Sequence, residues 1–219
     1  GNDGMLHGFS AEDGSEKIAY VPKGVIPSLR YLTARDYDQK HRYLVDGSPM
    51  TGDIDLGSFG NNDSTHVSDW RTVLVGSLGA GGRGYFVLDV TNPDSLSAAQ
   101  ANDIVMLDRT RSTVPGSQPN CAELGSTAKA RCLAEVEEDK DIGYITAQPV
   151  LDTVDMMRAT QITRLNNNRW AVILGNGYNS QNQRPVLLVQ YLDGDRELLR
   201  IPTTSADPGT GNAEDNGLA

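Results

Sequence analysis

A tryptophan-led apolar run that ends in glycine occurs twice, about one hundred positions apart: WRTVLVG at 70–76 and WAVILG at 170–175. Each is preceded by the same pair in the same order, Tyr43 and Pro49 before the first, Tyr144 and Pro149 before the second. Each is followed by a second β-rich run that closes in an acidic turn, GYFVLDVTNPDS (84–95) and PVLLVQYLDGDRE (185–197). A third run comes next, NDIVMLD (102–108) and LLRIPTT (198–204). The N-terminus enters the same template midway: GMLHGFSAEDGSE (4–16) reads as the second strand and its turn, KIAYVP (17–22) as the third. A tandem unit constrains a fold more than any single motif, because each copy must bury its apolar surface against the next.

The runs TVLVG and AVILG are continuous rather than alternating, which marks strands buried on both faces. Gly76 and Gly175 close them at points where a small residue fits. Long helix-period segments are scarce, and 23 Gly and 10 Pro punctuate the apolar runs, so the chain reads as all-β. A unit of four short antiparallel strands in tandem is the pattern of a β-propeller: an opening strand at the Tyr–Pro pair, a Trp-led strand, its hairpin partner and an outer strand. The boundaries expected are a partial blade at 1–27, a blade at about 43–108, an insert at 109–141, a blade at about 142–204 and a tail at 205–219. All lie in a single propeller domain or part of one. The unit is about 100 residues, against roughly 40–50 in compact propeller repeats. The excess falls in two inserts, 50–69 and 109–141, and such loops are where propellers place binding function. Residues 28–42 and 97–104 read as short added helices.

Net charge is −10 and the pI about 4.7. An acidic chain with no basic stripe repels phosphate backbones, which argues against a nucleic-acid partner. No apolar run approaches the roughly 20 residues of a membrane helix. The chain starts at Gly1 without an initiator methionine and reads as a piece of something longer, so a missing export signal carries no weight. Its two cysteines, Cys121 and Cys132, sit in a Ser-, Pro- and charge-rich region at a spacing that suits a disulfide across a short surface loop. The alternative is two free thiols; no neighbouring His or second Cys pair completes a zinc site.

The acidic turns are the candidate metal sites. Asp193 and Asp195 stand at calcium-loop spacing, but Arg196 and Glu197 break the series, and Asp-Gly alone accounts for a hairpin turn. The acidic, Gly-rich stretches 60–65 and 205–217 carry oxygens but too little apolar content to fix them. His7, His41 and His66 form no catalytic set, and neither H-E-x-x-H nor G-x-S-x-G occurs. His7 reads as a structural histidine in its strand. GAGGRGYF (79–86) lacks the Lys-Ser/Thr of a phosphate loop and reads as a hairpin loop with Arg83 as a surface contact. Trp70 with Trp170, and Tyr43 with Tyr144, are read as blade-packing residues by their equivalence under the repeat.

Six strings, NDGMLHGF, YLVDGSP, WRTVLVGSLGAGGRGYFVLDVTNP, QPV, RWAVILGNGYNS and NGLA, resemble the C-terminal propeller of the type IV pilus tip-associated PilC/PilY adhesins along nearly the whole chain. The resemblance implies a non-catalytic module of an exported protein at the pilus tip, outer membrane or periplasm of a Gram-negative bacterium. It implies roles in pilus assembly, in opposing retraction, and in attachment to host-cell or abiotic surfaces, with minor pilins as partners. It also implies calcium, held by a loop that follows NGLA in the family, so no calcium ligand is carried onto this sequence. No Arg-Gly-Asp tripeptide is present to support integrin binding. The oxidising compartment it implies agrees with a Cys121–Cys132 bond. The competing readings are a quinone-dependent dehydrogenase propeller, faintly suggested by NDGMLHGFSAEDG, and a structural surface domain without a specific partner. In the former the docking pattern after each strand fails, at EDGSE, TNPDS and DGDRE, so no organic cofactor is expected.

Overall fold

The computed structural model describes residues 1–57 and 66–203, together with the backbone of 217–218. It contains two four-stranded antiparallel sheets and a hairpin stacked on one of them. The hairpin joins β1 (Leu6–Phe9) to β2 (Glu16–Tyr20). The first sheet has the order β3-β4-β5-β6, with β3 at Met50–Asp55, β4 at Trp70–Ser77, β5 at Tyr85–Asp89 and β6 at Val105–Asp108. The second comprises β7 (Ile162–Arg164), β8 (Trp170–Gly175), β10 (Val186–Tyr191) and β11 (Leu198–Pro202), in that order across the sheet. A short strand β9 (Gly177–Tyr178) pairs with β12 (Gly217–Leu218).

The repeat holds in register as well as in sequence. Leu74 on β4 faces Leu88 on β5, and Leu174 on β8 faces Leu188 on β10. Even-numbered side chains of the first sheet, Leu74, Phe86 and Leu88, pack back onto Leu6, Ile18 and Tyr20 of the hairpin. Its odd-numbered ones, Val73, Val75, Tyr85 and Val87, face forward and meet the even-numbered Trp170, Val172, Leu174, Val186 and Leu188 of the second sheet. Each unit thus shows one face to its predecessor and the other to its successor, the head-to-tail stacking of propeller blades. Gly76 belongs to this packing, because a Cβ there would lie 2.3 Å from the Phe86 ring.

The sheets converge along β3 and β7. Thr51 Oγ1 donates to the Met157 carbonyl at 2.8 Å, the Ala159 N–H donates to the Thr51 carbonyl at 2.8 Å, and Gly52 lies directly against Ile162. The opening strands are therefore β3 and β7, and not the Tyr43–Pro49 and Tyr144–Pro149 segments. Strand β3 occupies the start of the stretch assigned to the first insert. MTGDID alternates Met50, Gly52 and Ile54 toward the core, a period-two signal masked by its Gly and two Asp. Tyr144 makes only an isolated bridge with Tyr178, and Gly177 permits it with φ +69° and its Cα against the Tyr144 carbonyl, where a Cβ would sit 2.1 Å away. Tyr43 is exposed and packs on His41, so it is not a blade-packing residue.

Two further readings change. The insert 109–141, read as a loop, carries a 14-residue helix, because STAKARCLAEVEED is rich in strong helix formers. In chain order the single-turn α1 (Ala101–Ile104) comes first and this helix is α2 (Ser126–Asp139). The segment 28–42 contributes a 3-10 helix at Ile26–Thr33, whose Leu29 and Leu32 pack on Val25, Leu44, Val45 and Leu78. The acidic stretch 60–65, and the tail 205–219 apart from the backbone of 217–218, lie outside the described residues.

Candidate functional site

The most elaborate polar construction joins the insert to both sheets. Strand β6 ends at Asp108, whose carboxylate accepts from the Tyr20 hydroxyl at 2.7 Å and from the Lys23 and Thr110 N–H groups at 2.8 Å. Just beyond, Arg109 and Arg111 reach across to the end of α2. Arg109 Nε donates to Asp139 at 2.8 Å, Arg109 Nη2 pairs with Glu138, and Arg111 pairs with Asp139. Burial works against the charge on Arg109, but the facing Asp139 and Glu138 carboxylates outweigh it and hold its proton more firmly than usual. Midway along α2, Cys132 forms a disulfide with Cys121 and ties the helix to the turn before it. The expected bond is present.

Two residues past α2, Asp141 is fully buried and accepts four hydrogen bonds from the second sheet's side. Arg184 supplies two at 2.8 Å, Asn182 Nδ2 one at 2.7 Å and Arg200 Nη1 one at 2.8 Å. Burial pushes the Asp141 carboxyl up, but the hydrogen bonds from Arg184 and Asn182 and the adjacent charges prevail and leave it below the usual carboxylate range. Asn176, also fully buried, donates to the Asp141 and Arg184 carbonyls and accepts from the Val186 N–H. Helix α2 is thereby held between the first sheet, through Arg109, and the second, through Arg184 and Arg200.

A cleft of about 670 Å³ opens between β6, the β10–β11 turn and α2. Asp108, Arg109, Glu135, Glu138, Asp195 and Arg196 line it, and Arg196 Nη1 crosses from one sheet to the other to donate to the Met106 carbonyl at 2.6 Å. Its charged groups suit recognition of a polar protein surface by hydrogen bonds and ion pairs.

The residues singled out from sequence do not converge on a metal. Asp193 accepts from Arg169 Nε at 2.7 Å and from the Trp170 N–H at 2.9 Å, so both its oxygens are engaged and one faces a cation. Asp195 is exposed in the turn. Among the described residues no three His, Cys, Asp or Glu side chains gather in a metal-binding arrangement. Arg169 also pairs with Glu197, lowering that carboxyl to about 2, and stacks over the Tyr191 ring at 3.9 Å. The Asp-Gly turn therefore fastens β8 to the β10–β11 hairpin and does not fit a calcium ion.

His7 lies between Asp3 (2.6 Å) and Glu16 (2.5 Å), whose hydrogen bonds raise its pKa, Glu16 contributing most. It fastens the N-terminal hairpin as a structural histidine. His66 Nε2 shares a 2.6 Å bond with Asp55, and His41 packs between Tyr37 and Tyr43. Trp70 and Trp170 meet each other edge-on, ring centroids 6.1 Å apart, the same position of two blades in direct contact. Arg83, read as a surface contact, instead donates to the Asn179 carbonyl at 2.8 Å and ties the glycine-rich loop to the second sheet. Sequence reading missed Asp139, Asp141, Arg184 and Arg200, because EVEEDKD looks like an ordinary solvated charge run.

Two antiparallel four-stranded units stacked head to tail define consecutive blades of a β-propeller. Residues 1–148 match the family model of the PilY1 β-propeller domain. The chain is 35% identical over 88% of its length to the type IV pilus biogenesis factor PilY1 of Pseudomonas aeruginosa strain PAO1, and 35% identical over 87% to a PilY1 homolog of Xylella fastidiosa. It spans only 12% and 9% of those proteins' lengths. The crystal structure of the Pseudomonas aeruginosa PilY1 C-terminal domain aligns with 94% of this chain and 30% of that one, at 30% identity and a TM-score of 0.50. The chain belongs to the PilY1 β-propeller family.

Proposed function

We propose that this chain is a non-catalytic propeller segment of an exported type IV pilus protein. It supports pilus assembly against retraction and contributes to attachment to host-cell or abiotic surfaces. The observation that carries the reading is the 35% identity to a pilus biogenesis factor across 88% of the chain. The chemistry fits a binding role. His7 and the Asp193 turn are consumed in structural bonds, and the polar groups of the α2 insert are arranged to hold blades together and to border a cleft. Minor pilins at the pilus tip are the proposed partners of the insert and its cleft. Calcium, which the resemblance implies, is assigned to residues other than Asp193 and Asp195.

The test is a count of surface pili after deletion of the gene, with and without the retraction motor. Loss of pili that is restored when retraction is also removed is the expected result. Unchanged pili in both strains would overturn the assembly role.

A further inference from the structure

Residues 30–43 hold Arg30, Arg35, Lys40 and Arg42 against only Asp36 and Asp38, in a chain with 29 acidic and 19 basic residues. Carboxylates are plentiful, and arginines elsewhere use them. Among the described residues, eight of the eleven arginines outside this segment reach an Asp or Glu, and Arg83, Arg164 and Arg196 each donate to a backbone carbonyl. Arg30, Arg35 and Arg42 are the exceptions: among the described residues none forms an ion pair with a carboxylate. Asp36 is taken by Lys40.

Two of the three arginines are held on an aromatic ring instead. The Arg42 guanidinium lies over Tyr31 at 4.0 Å from the ring centroid, and Arg30 at 4.9 Å, with Arg30 Nη2 donating to the Tyr31 hydroxyl at 3.0 Å. Stacking orients a guanidinium while leaving its N–H edge available for a bidentate anion. A few residues on, Tyr37, His41 and Tyr43 form their own aromatic row at centroid spacings of 5.7 and 5.4 Å. The seat is firm, because Leu29 and Leu32 anchor the 3-10 helix to the small core around Leu44 and Leu78.

We infer that residues 30–43 form a binding surface for an acidic polysaccharide, with Arg30, Arg35 and Arg42 on its carboxylate or sulfate groups and the tyrosine rings against its sugar faces. The net charge of −10 opposes a nucleic acid and an acidic polysaccharide alike over the rest of their length, so any such ligand is held by this local cluster of cations alone. A membrane finds little to insert here: Leu29 and Leu32 pack on the core, and Ile26 is the one exposed aliphatic side chain of the 3-10 helix. A pyranose offers both what a ring and what a guanidinium bind: a C–H face and, when acidic, a planar or tetrahedral anion. The inference names a ligand for the adhesive part of the proposed function, and its test is independent of pilus assembly.

The full 219-residue chain would be titrated with polygalacturonate (carboxylate), heparin (sulfate) and neutral dextran at low salt. Binding to polygalacturonate or heparin but not to dextran, weakened by added salt, is expected; which of the two binds identifies the anion. Arg35→Gln with Arg42→Gln, both exposed and outside either sheet, should weaken binding by about tenfold or more. Tyr37→Ala with Tyr43→Ala should weaken it severalfold, and Lys129→Gln on exposed α2 should change nothing. An unchanged melting temperature in each variant separates lost contacts from lost folding. No binding to either acidic glycan, or binding indifferent to the arginine pair, overturns the inference; poly-glutamate binding as tightly as the better glycan overturns the sugar assignment. Glycan binding by a chain whose deletion leaves pili unchanged would count against the pilus reading alone.

Discussion

The two four-stranded sheets share strand order, register and the position of their tryptophans, yet the first is buried on both faces and the second on one face and only the middle of the other, where Ala171 and Val189 are buried. Phe86 and Leu88 on the rearward face of the first sheet are fully buried, and so are Tyr85 and Val87 on its forward face. The second sheet buries Val172 and Leu188 rearward but leaves Leu199 and Ile201 on its forward face 46% and 44% exposed. The tryptophans differ the other way: Trp170 of the second sheet is 8% exposed and Trp70 of the first 56%. A blade's sequence fixes which side chains point each way; its place in the stack decides what they are worth. The second sheet has a different source of order, the buried Asp141 that gathers Arg184, Arg200 and Asn182, where the first relies on apolar packing against the hairpin.

This contrast can be broken most forcefully at Phe86. Phe86→Ala should cost about 3–5 kcal/mol in urea unfolding, since it opens a cavity between the first sheet and the hairpin. Asp141→Ala should cost about 3 kcal/mol by leaving the Arg184 and Arg200 guanidinium groups without their carboxylate partner. The native Asp141 carboxyl titrates below its unfolded value of 3.8, so its stabilisation is present above that value and disappears as pH falls through the lower native pKa. Melting curves of the parent and Asp141→Asn should therefore converge in acid and stay apart near neutrality; a constant gap at all pH values would refute the linkage. Replacing Cys121 and Cys132 by Ser should cost about 2–3 kcal/mol for a loop of 11 residues' separation. Thiol titration of the unfolded, unreduced parent should find no free thiol. Ile201→Ala should cost less than about 1 kcal/mol in this chain, since its side chain already meets solvent. A loss there as large as at Phe86 would erase the distinction between the two sheets.

Much of the architecture was legible from local pattern. The Trp-led strands, their hairpin partners and the N-terminal hairpin follow from apolar runs bounded by Gly and acidic turns, and the repeat implied the stacking. The opening strands were not legible, because MTGDID and ITR are short, and their strand character depends on β4 and β8 beside them. Helix α2 was hidden by the Ser- and Pro-rich stretch in front of it, although its own residues favour a helix.

The sequence by itself determined the repeat, the all-β class, the disulfide partners and the family, since each depends on residue identity and spacing along the chain. Only the tertiary structure decided that Asp193 serves Arg169 and Trp170, that Asp141 is buried among guanidinium groups, and that, among the described residues, Arg30, Arg35 and Arg42 pair with no carboxylate. The reason is physical. Period and propensity act over a few neighbouring residues, whereas the fate of a charge depends on burial and on partners that lie, for Asp141, 41 to 59 positions away.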